Sequence, residues 1–479
     1  MYAIYIGLGI VLITVIIRYL YTWYLYARIT RNQVPNGAKI VPLVDGALPL
    51  IGHSSQFSRD PIGFVRNAQK RYGNYFKIRL LNKDIVVICD REACNEYFKS
   101  SEKRLSLYEV LDGLYFSKGF SDNKSFFPTI ITIIKRSVEV KYEKFADKIM
   151  DEAQRMITKL QASNREVDLK AEMSRFISNT SARCFVGIEL TDEFFDILTK
   201  FSHLLNKIIV ITYFVPKWLL NITVNRQLKV YRSQMIRLLK PTVMEYINNP
   251  DLKESKILRN AANFVDDNGK KLTWEQVAEI IICMLYISSE NTALGLTIAM
   301  IDLSQKPEFW DAVKQESEKH LNDNNIRSLF DSPILEAAIM ESARMNSHLF
   351  ALMRKPRSVS DVLNGYYIGD AYSVALCEPL LMRYECSTDL YQDPNTYNPN
   401  RFLEPMCESK ASSDIMTWGS STHMCPGKMF ALYELKAAMA MIVTTFKRFN
   451  IDKNKITDLD FFSPAAFADR KAFVKFEKL

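Results

Sequence analysis

The sequence predicts a mainly α-helical fold with a small β region, carried behind a single N-terminal transmembrane helix. Three observations predict it. An unbroken apolar run without charge opens the chain, from Ala3 to Ile17. From about Thr129 to Met300 the hydrophobic spacing is overwhelmingly helical. Strand-like alternation is confined to short runs around Tyr75 to Cys89 and Tyr366 to Leu376.

Composition bounds what this fold can do. The chain has 479 residues, 48% hydrophobic and 24% charged, an ordinary globular balance. No Gly/Ser-rich linker, internal repeat or low-complexity tract follows residue 52, so residues 53–479 are expected to form one large catalytic domain. The net charge of +8 is spread along the chain. Lys135, Arg136 and Lys141 form the nearest approach to a basic cluster, and no aromatic-interleaved stripe follows, so nucleic acid is not an expected partner. The eight cysteines include no C-x-x-C pair and several lie in apolar runs. Reduced thiols on a cytosolic face fit better than a disulfide scaffold. The five histidines are far apart in sequence and give no support to a zinc or non-haem iron site.

Taken in order, the elements begin with the anchor, residues 1–27. The run from Ala3 to Ile17 spans only about 22 Å at ~1.5 Å per residue, against a bilayer core of about 30 Å. Continuing past Arg18 to Tyr24 supplies the length, with the arginine snorkelling toward an interface. Tyr19, Tyr21, Trp23, Tyr24 and Tyr26 form an aromatic belt, and Arg28 and Arg31 follow it. Positive charge after the span places the catalytic domain on the cytoplasmic face, that of the endoplasmic reticulum in a eukaryotic host. A cleaved signal peptide would want a basic start and a small-residue cleavage site, and this segment has neither. Residues 28–52 read as a basic linker stiffened by Pro35, Pro42 and Pro49.

Beyond the linker, Asp60 to Tyr72 reads as an amphipathic helix. Tyr75 to Leu80 and Asp84 to Cys89 read as a hairpin. The helical region breaks at Pro216 and around Asn248-Asn249-Pro250. Thr273 to Ser304 is the longest helix and, apolar on most faces, is expected to be buried. Another helix runs from Pro333 to Met345, and short strands are expected at Tyr366 to Ile368 and Ser373 to Leu376. A last helix is expected from Pro426 to about Phe446.

The segment from Trp418 to Gly427, WGSSTHMCPG, brings one cysteine through an irregular glycine loop to the start of an apolar helix. The unpaired N–H groups and positive dipole end of a first helical turn favour a thiolate there. Pro426 suits a first helical position, and Gly427 lets a flat macrocycle approach the backbone. The segment resembles the cysteine signature of the cytochrome P450 superfamily, F-G-x-G-x-H-x-C-x-G, with Trp418 for the phenylalanine and Ser421 for the second glycine. Glu341 and Arg344 form an E-x-x-R sequence, and Tyr397 to Phe402, carrying Arg401, lies between it and the cysteine loop. Other E-x-x-R copies, Glu152/Arg155 and Glu172/Arg175, read as ordinary helix pairs. The ordered trio of Glu341/Arg344, Arg401 and Cys425 makes the resemblance specific, and it covers essentially the whole chain.

The resemblance implies the P450 fold and haem b, with Cys425 as axial thiolate. Gly419 and Gly427 would shape the haem loop, and Glu341, Arg344 and Arg401 would form a charge network behind it. It places the oxygen site at Ser288-Ser289-Glu290-Asn291-Thr292. Thr292 matches the hydroxyl expected there, Ser289 replaces a glycine, and Asn291 replaces the acid, with Glu290 one position early. Tyr108 to Leu111, Phe116 to Phe120, Pro216 to Leu219, Leu352 to Arg354 and His423 resemble segments of sterol (lanosterol) 14α-demethylases. That likeness implies haem-propionate contacts from Tyr108, Arg354 and His423, with Lys135 or Arg136 in addition. It also implies a lipophilic, sterol-class substrate against Leu111, Phe116, Phe120 and Ser288. Ser289, Asn291 and the polar pair Asp112-Gly113 depart from that branch. The expected reaction is oxygen insertion into a lipophilic substrate, with electrons from NADPH through a partner reductase. A haem-thiolate isomerase, a peroxide-using enzyme and a non-catalytic haem or lipid binder are the alternatives.

Overall fold

The computed structural model describes residues 34–49, 51–81, 83–138, 142–212, 220, 224–249, 255–266, 268–322, 326–346, 351–384, 390–406, 408, 416–449, 451 and 472–479. Of the N-terminal segment it describes only positions 9, 13, 16, 19 and 20, all helical. The expected transmembrane helix as a whole, and the segment Pro216 to Leu219, lie outside the described residues. The chain forms two compact units, 1–110 with 351–377 and 111–350 with 378–479.

The first unit holds the β region. Its strands are β1 (Lys39–Ile40), β2 (Tyr75–Leu80), β3 (Lys83–Ile88), β4 (Leu105–Ser106), β5 (Leu352–Pro356), β6 (Val362–Leu363), β7 (Tyr366–Tyr367) and β8 (Ser373–Leu376). One sheet runs β2-β3-β8-β5-β4, and a smaller one runs β1-β7-β6. The expected β2–β3 hairpin forms, with Tyr75 opposite Ile88 and Leu80 opposite Lys83, so the second strand starts one residue earlier than expected. Its residues are buried nearly throughout, which is why β3 reads as an apolar run while β2 alternates through Lys77 and Arg79. Asn364 and Gly365 turn β6 into β7 with φ of 47° and 78°, the two positive φ values a two-residue type I′ hairpin requires. Helix α1 (Pro61–Tyr72) starts one residue later than expected, because Asp60 is its cap and accepts from the Gly63 N–H at 2.8 Å. Helix α2 (Arg91–Lys99) is capped the same way by Asp90. Helix α3 (Leu107–Gly113) starts within this unit's first segment, which ends at Val110.

The second unit is mainly helical, with one two-stranded antiparallel sheet that pairs Val167–Asp168 with Phe473–Val474. Its principal helices are α4 (Phe116–Phe120), α5 (Phe127–Val138), α6 (Ala146–Ala162), α7 (Leu169–Ser181), α8 (Asp192–Ile211), α9 (Val224–Asn248), α10 (Lys256–Ala262), α11 (Trp274–Ser304), α12 (Pro307–Asn322), α13 (Pro333–Met345) and α14 (Lys428–Thr445). Helix α11 is the axis, packed against α5, α7, α9, α13 and α14. Burial on most sides explains its composition. Among the described residues it is the one helix apolar and long enough to cross a membrane, yet 67% of its apolar stretch is buried in protein. A capping box starts it: the Thr273 hydroxyl accepts from the Gln276 N–H, and the Gln276 side chain accepts from the Thr273 N–H.

Two expectations are corrected. Helix α14 begins at Lys428 with Gly427 as its N-cap, so Pro426 lies in the preceding turn rather than at the first helical position. Glu172 and Arg175 do not pair with one another. Glu172 holds Lys159 at 2.7 Å and Arg175 holds Asp192 at 2.6 Å, because each meets a charge from another segment. Glu152 and Arg155 do pair, at 3.4 Å.

Removing the cap of α11 tests how far that helix governs the unit. We expect Thr273→Ala to cost about 1 kcal/mol of unfolding free energy in urea titration. An unchanged midpoint would mean that packing alone sets the start of α11.

Candidate haem site

Helix α11 has two chemically different faces at its centre. Met284, Ile287, Ser288, Asn291, Thr292 and Gly295 recur every three or four residues and line one cavity of about 330 Å³. That volume lies at the lower end of ordinary ligand pockets. Ile134 and Val138 of α5, Phe185, Ile339 of α13, and Phe430, Ala431 and Leu435 of α14 make most of the remaining wall apolar. Cys425 and Gly427 line the same cavity, together with Thr417 and Trp418. The cavity thus has a thiol on one segment and a hydroxyl and an amide on another, within apolar surroundings.

The loop that carries the thiol is tightly determined. The Cys425 N–H donates to the Trp418 carbonyl at 2.7 Å, closing it. Gly419 has φ +68°, and a Cβ there would lie 2.4 Å from the His423 carbonyl oxygen, so only glycine fits. Thr417 Oγ1 donates to the Ala343 carbonyl at 3.1 Å and ties the loop to α13. Burial pushes the Cys425 thiol above its usual range, while the Gly427 and Lys428 N–H groups and the Lys428 charge pull it down. Those donors are the helix-start groups expected from the sequence.

Behind the loop, Glu341 accepts a forked pair from Arg344, Nε to Oε2 at 2.7 Å and Nη2 to Oε1 at 2.9 Å. Arg401 Nε donates to the same carboxylate at 3.0 Å, as does the Asn398 N–H at 2.9 Å. Arg401 also pairs with Glu408, so two guanidiniums meet two carboxylates. Main-chain carbonyls of Met382, Pro394, Gln392 and Thr396 take remaining donors. All three central side chains are at most 1% exposed. So deep a set of charges is tolerable because nearly every donor is used.

Other expected site residues are placed differently. Glu290 lies on the opposite face of α11 from Thr292. It accepts from Asn206 of α8 at 3.1 Å and borders a separate polar cavity with Ser289, His203 and Lys170. Two residues along a helix turn the side chain by about 200°, so Glu290 and Thr292 cannot share a face. Phe116 and Phe120 pack into an aromatic cluster with Phe127, Phe201 and Tyr286, and with Leu111 they are not among the residues lining the thiol-bearing cavity. Lys135 and Arg136 are exposed, while Ile134 and Val138 give α5 its cavity face.

In the first unit, Arg354 is buried on β5 opposite Val374. Its Nη1 donates to the Tyr97 carbonyl at 2.6 Å and to that of Ser100 at 3.2 Å, and its guanidinium lies over the Tyr97 ring. Burial lowers its pKa. Tyr108 is half-buried in α3, its N–H bound to Glu102, and burial raises its phenol. In the second unit, His423 is half-buried at the end of a short 3₁₀ turn in the cysteine loop.

A family model described as cytochrome P450 matches residues 42–476. The chain belongs to the cytochrome P450 family. It is 42% identical over 462 residues to a probable lanosterol 14-alpha demethylase of Acanthamoeba polyphaga mimivirus, covering 95% of this chain and 65% of that protein. The chain therefore spans just under two thirds of that relative's length. It is 25% identical over 428 residues to a sterol 14-demethylase of Arabidopsis thaliana, covering 85% and 86% of the two chains. The fold is shared with retinoic acid-bound cyanobacterial CYP120A1, with a TM-score of 0.74 at 18% identity over 92% of this chain and all of that one.

Haem b with a thiolate-ligated iron is what this P450 family binds, and the residues present fit it. A lone thiol is presented to an apolar cavity beside backbone donors, and a glycine loop leaves no Cβ in the way. The buried Trp418 Nε1 has no partner among the described residues, leaving at the cavity wall a polar atom of the kind a bound group can satisfy.

Several lining residues were missed in the sequence. Met284, Ile287 and Gly295 carried a usable signal, since they continue the spacing of Ser288, Asn291 and Thr292. Phe185 carried none: it sits in a single π-helical turn, Ala182–Val186, that periodicity does not reveal.

Glu341→Ala would leave two guanidiniums buried around one remaining carboxylate. We expect a loss of roughly 3–5 kcal/mol in stability, read as a large drop in unfolding midpoint and in yield of folded protein. Glu408→Gln should cost much less, because that carboxylate is 13% exposed and water replaces part of what it provides. Equal effects of the two substitutions would contradict a hierarchy centred on Glu341.

Proposed function

We propose that this P450 is a membrane-anchored haem-thiolate monooxygenase that inserts oxygen into a lipophilic, sterol-class substrate. Electrons come from NADPH through a partner reductase. The observation that carries the reading is the cavity shared by the Cys425 thiol, the Thr292–Asn291 pair and a mostly apolar wall, with Glu378, Ser288, Ser342 and Thr417 as its other polar members. The relatives named as sterol 14-demethylases support the substrate class, and the apolar run of residues 3–17 with its aromatic belt supports the anchor.

When bound, haem supplies dioxygen activation, its thiolate ligand pushing electron density that favours O–O cleavage, as is known for the P450 class itself. Cys425 gives up its proton and is held as thiolate by the N–H groups of Gly427 and Lys428. Thr292 places a hydroxyl, both donor and acceptor, on the cavity face of α11. There it holds a water that passes protons to the reacting oxygen. Asn291 can orient that water but cannot exchange a proton as a carboxylate does. Ser288 already donates to the Leu285 carbonyl at 3.2 Å, so it offers mainly an acceptor. The apolar wall keeps bulk water out and favours a hydrocarbon ligand. Arg354, Tyr108 and His423 are the groups we assign to the haem carboxylates, since cations and hydroxyls are what such groups require in a partly dry site.

Two measurements test the reading. Reconstituted wild type should give the thiolate-type Soret band of the reduced carbon monoxide complex, and Cys425→Ala should lose it while remaining folded. A band that survives the substitution would reject Cys425 as ligand. With reductase and a sterol panel, Thr292→Ala should lower product formed per NADPH and raise peroxide release, with the spectrum kept. Unchanged coupling would remove Thr292 from proton delivery, and full turnover on added peroxide alone would point to the reductase-independent class.

A further inference from the structure

Two hydroxyls weaken α11 next to its cavity face. Ser288 and Ser289 both donate Oγ to the Leu285 carbonyl, at 3.2 and 2.6 Å. Hydroxyls bonded back in this way compete with the helix's own ladder and loosen it. Thr292 follows within one turn. A hydroxyl roughly 4 Å from a helix axis moves about 1 Å when the helix rotates by about 15°, so a loosened turn is enough to misplace it.

A brace from outside spans the weakened turn. Asn206 of α8 is 1% exposed. Its amide oxygen accepts from Tyr286 Oη at 2.5 Å, and its amide nitrogen donates to Glu290 Oε2 at 3.1 Å. Tyr286 and Glu290 stand four residues apart on one face of α11, so a single amide bridges the stretch that contains Ser288 and Ser289. A carboxylate can only accept, which turns the amide nitrogen to Glu290 and the amide oxygen to Tyr286. Burial, and after it the charge on Glu290, push the Tyr286 phenol well up, so it remains a donor. Phe201, also of α8, meets the Tyr286 ring edge-on at 6.3 Å.

We propose that Asn206 is a positioning residue for the reaction: by bridging Tyr286 and Glu290 it fixes the rotation of α11 that presents Ser288, Asn291 and Thr292 to the thiol-bearing cavity. Asn206 is not among the residues lining that cavity and acts through the helix. The inference rests on the monooxygenase reading, and within it Glu290 serves as the acceptor of a brace rather than as a source of protons.

Asn206→Asp tests the brace at almost constant shape, since aspartate still accepts from Tyr286 but cannot donate to Glu290. In the full-length protein, amide hydrogen exchange over residues 285–292 should quicken about tenfold, the scale of one lost hydrogen bond to a charged group. Exchange over residues 274–281, at the start of the same helix, should not change. With reductase, NADPH, lanosterol and other 14α-methyl sterols, product per NADPH should fall about tenfold, within the roughly hundredfold that a 1 Å misplacement can cost. The thiolate-type carbon monoxide spectrum should be kept. Combining Asn206→Asp with Glu290→Gln remakes the bond with donor and acceptor exchanged, and should return both readouts toward wild type. A role in filling space would not produce that recovery. Glu290→Gln alone leaves an oxygen for Asn206 to reach and should keep the slow exchange. Coupling lost in that variant while exchange stays slow would make Glu290 a proton source and overturn the proposal. If Asn206→Asp folds poorly, Tyr286→Phe removes the other leg of the brace and is read in the same way. Unmoved exchange and coupling in the variant that lacks a leg, or no recovery in the double variant, overturns the proposal alone. Wild type that turns over none of the sterols overturns the monooxygenase reading, and this proposal with it.

Discussion

Glu341 shares one carboxylate between two arginines at a depth where almost no solvent reaches, and this shared anion organises the helical unit. Either arginine alone with Glu341 would form an ordinary pair. Together they fix α13 to the irregular chain from Tyr391 to Arg401, through carbonyls that only guanidinium forks can reach at once. From α13 the constraint passes to the cysteine loop by the Thr417–Ala343 bond, and within the loop by the Cys425–Trp418 bond. The position of the thiol is thus decided a long way from the thiol. Stability alone does not require such a network, since an apolar replacement is often as stable. What the network provides here is a single arrangement of an irregular segment that has few ladder bonds of its own.

The centre of α11 shows the complementary solution. The same turn of helix presents Thr292 to the thiol-bearing cavity and Glu290 to Asn206 and a polar cavity behind. The Leu285 carbonyl accepts from both Ser288 and Ser289, whose side chains line opposite cavities. Hydroxyls that bond back onto a helix tend to bend it and loosen its ladder. Ser289 and Asn291, two of the residues that depart from the family pattern, thus sit where one helix serves two environments.

Much of this was legible from the residues alone. Helix α13 has the bounds expected from its spacing, as has β8, and α11 needs only its first residue reassigned as a cap. Strong periodicity, Asp60 or Thr273 at a boundary, and the order of Glu341, Arg401 and Cys425 are local signals. The fate of Phe116 and Phe120 was not local. Whether an aromatic ring lines a cavity or fills a cluster depends on partners such as Phe201, distant in sequence. Glu290 was ambiguous for the converse reason: adjacency in sequence to Asn291 says nothing of face until the helix phase is set by what packs on it. The Asn364–Gly365 hairpin was readable and went unread, since two-residue strands give too little alternation to draw notice to their turn.

The apolar length of α11 has a consequence for how the chain is made. While it emerges from a ribosome, before any partner helix has formed around it, Trp274–Ser304 has the hydropathy of a bilayer span. A membrane insertion apparatus reads such segments one at a time, by their partitioning. The run Ser288-Ser289-Glu290-Asn291 falls near the middle of this one, where an ionised side chain costs roughly 2.5–3.5 kcal/mol to place in hydrocarbon. The polar turn that divides the two cavities in the folded protein would also bias the nascent helix against lateral release into lipid. Replacing that turn with leucines would remove the polar side chains of a site and, in the same stroke, offer the chain a second membrane crossing.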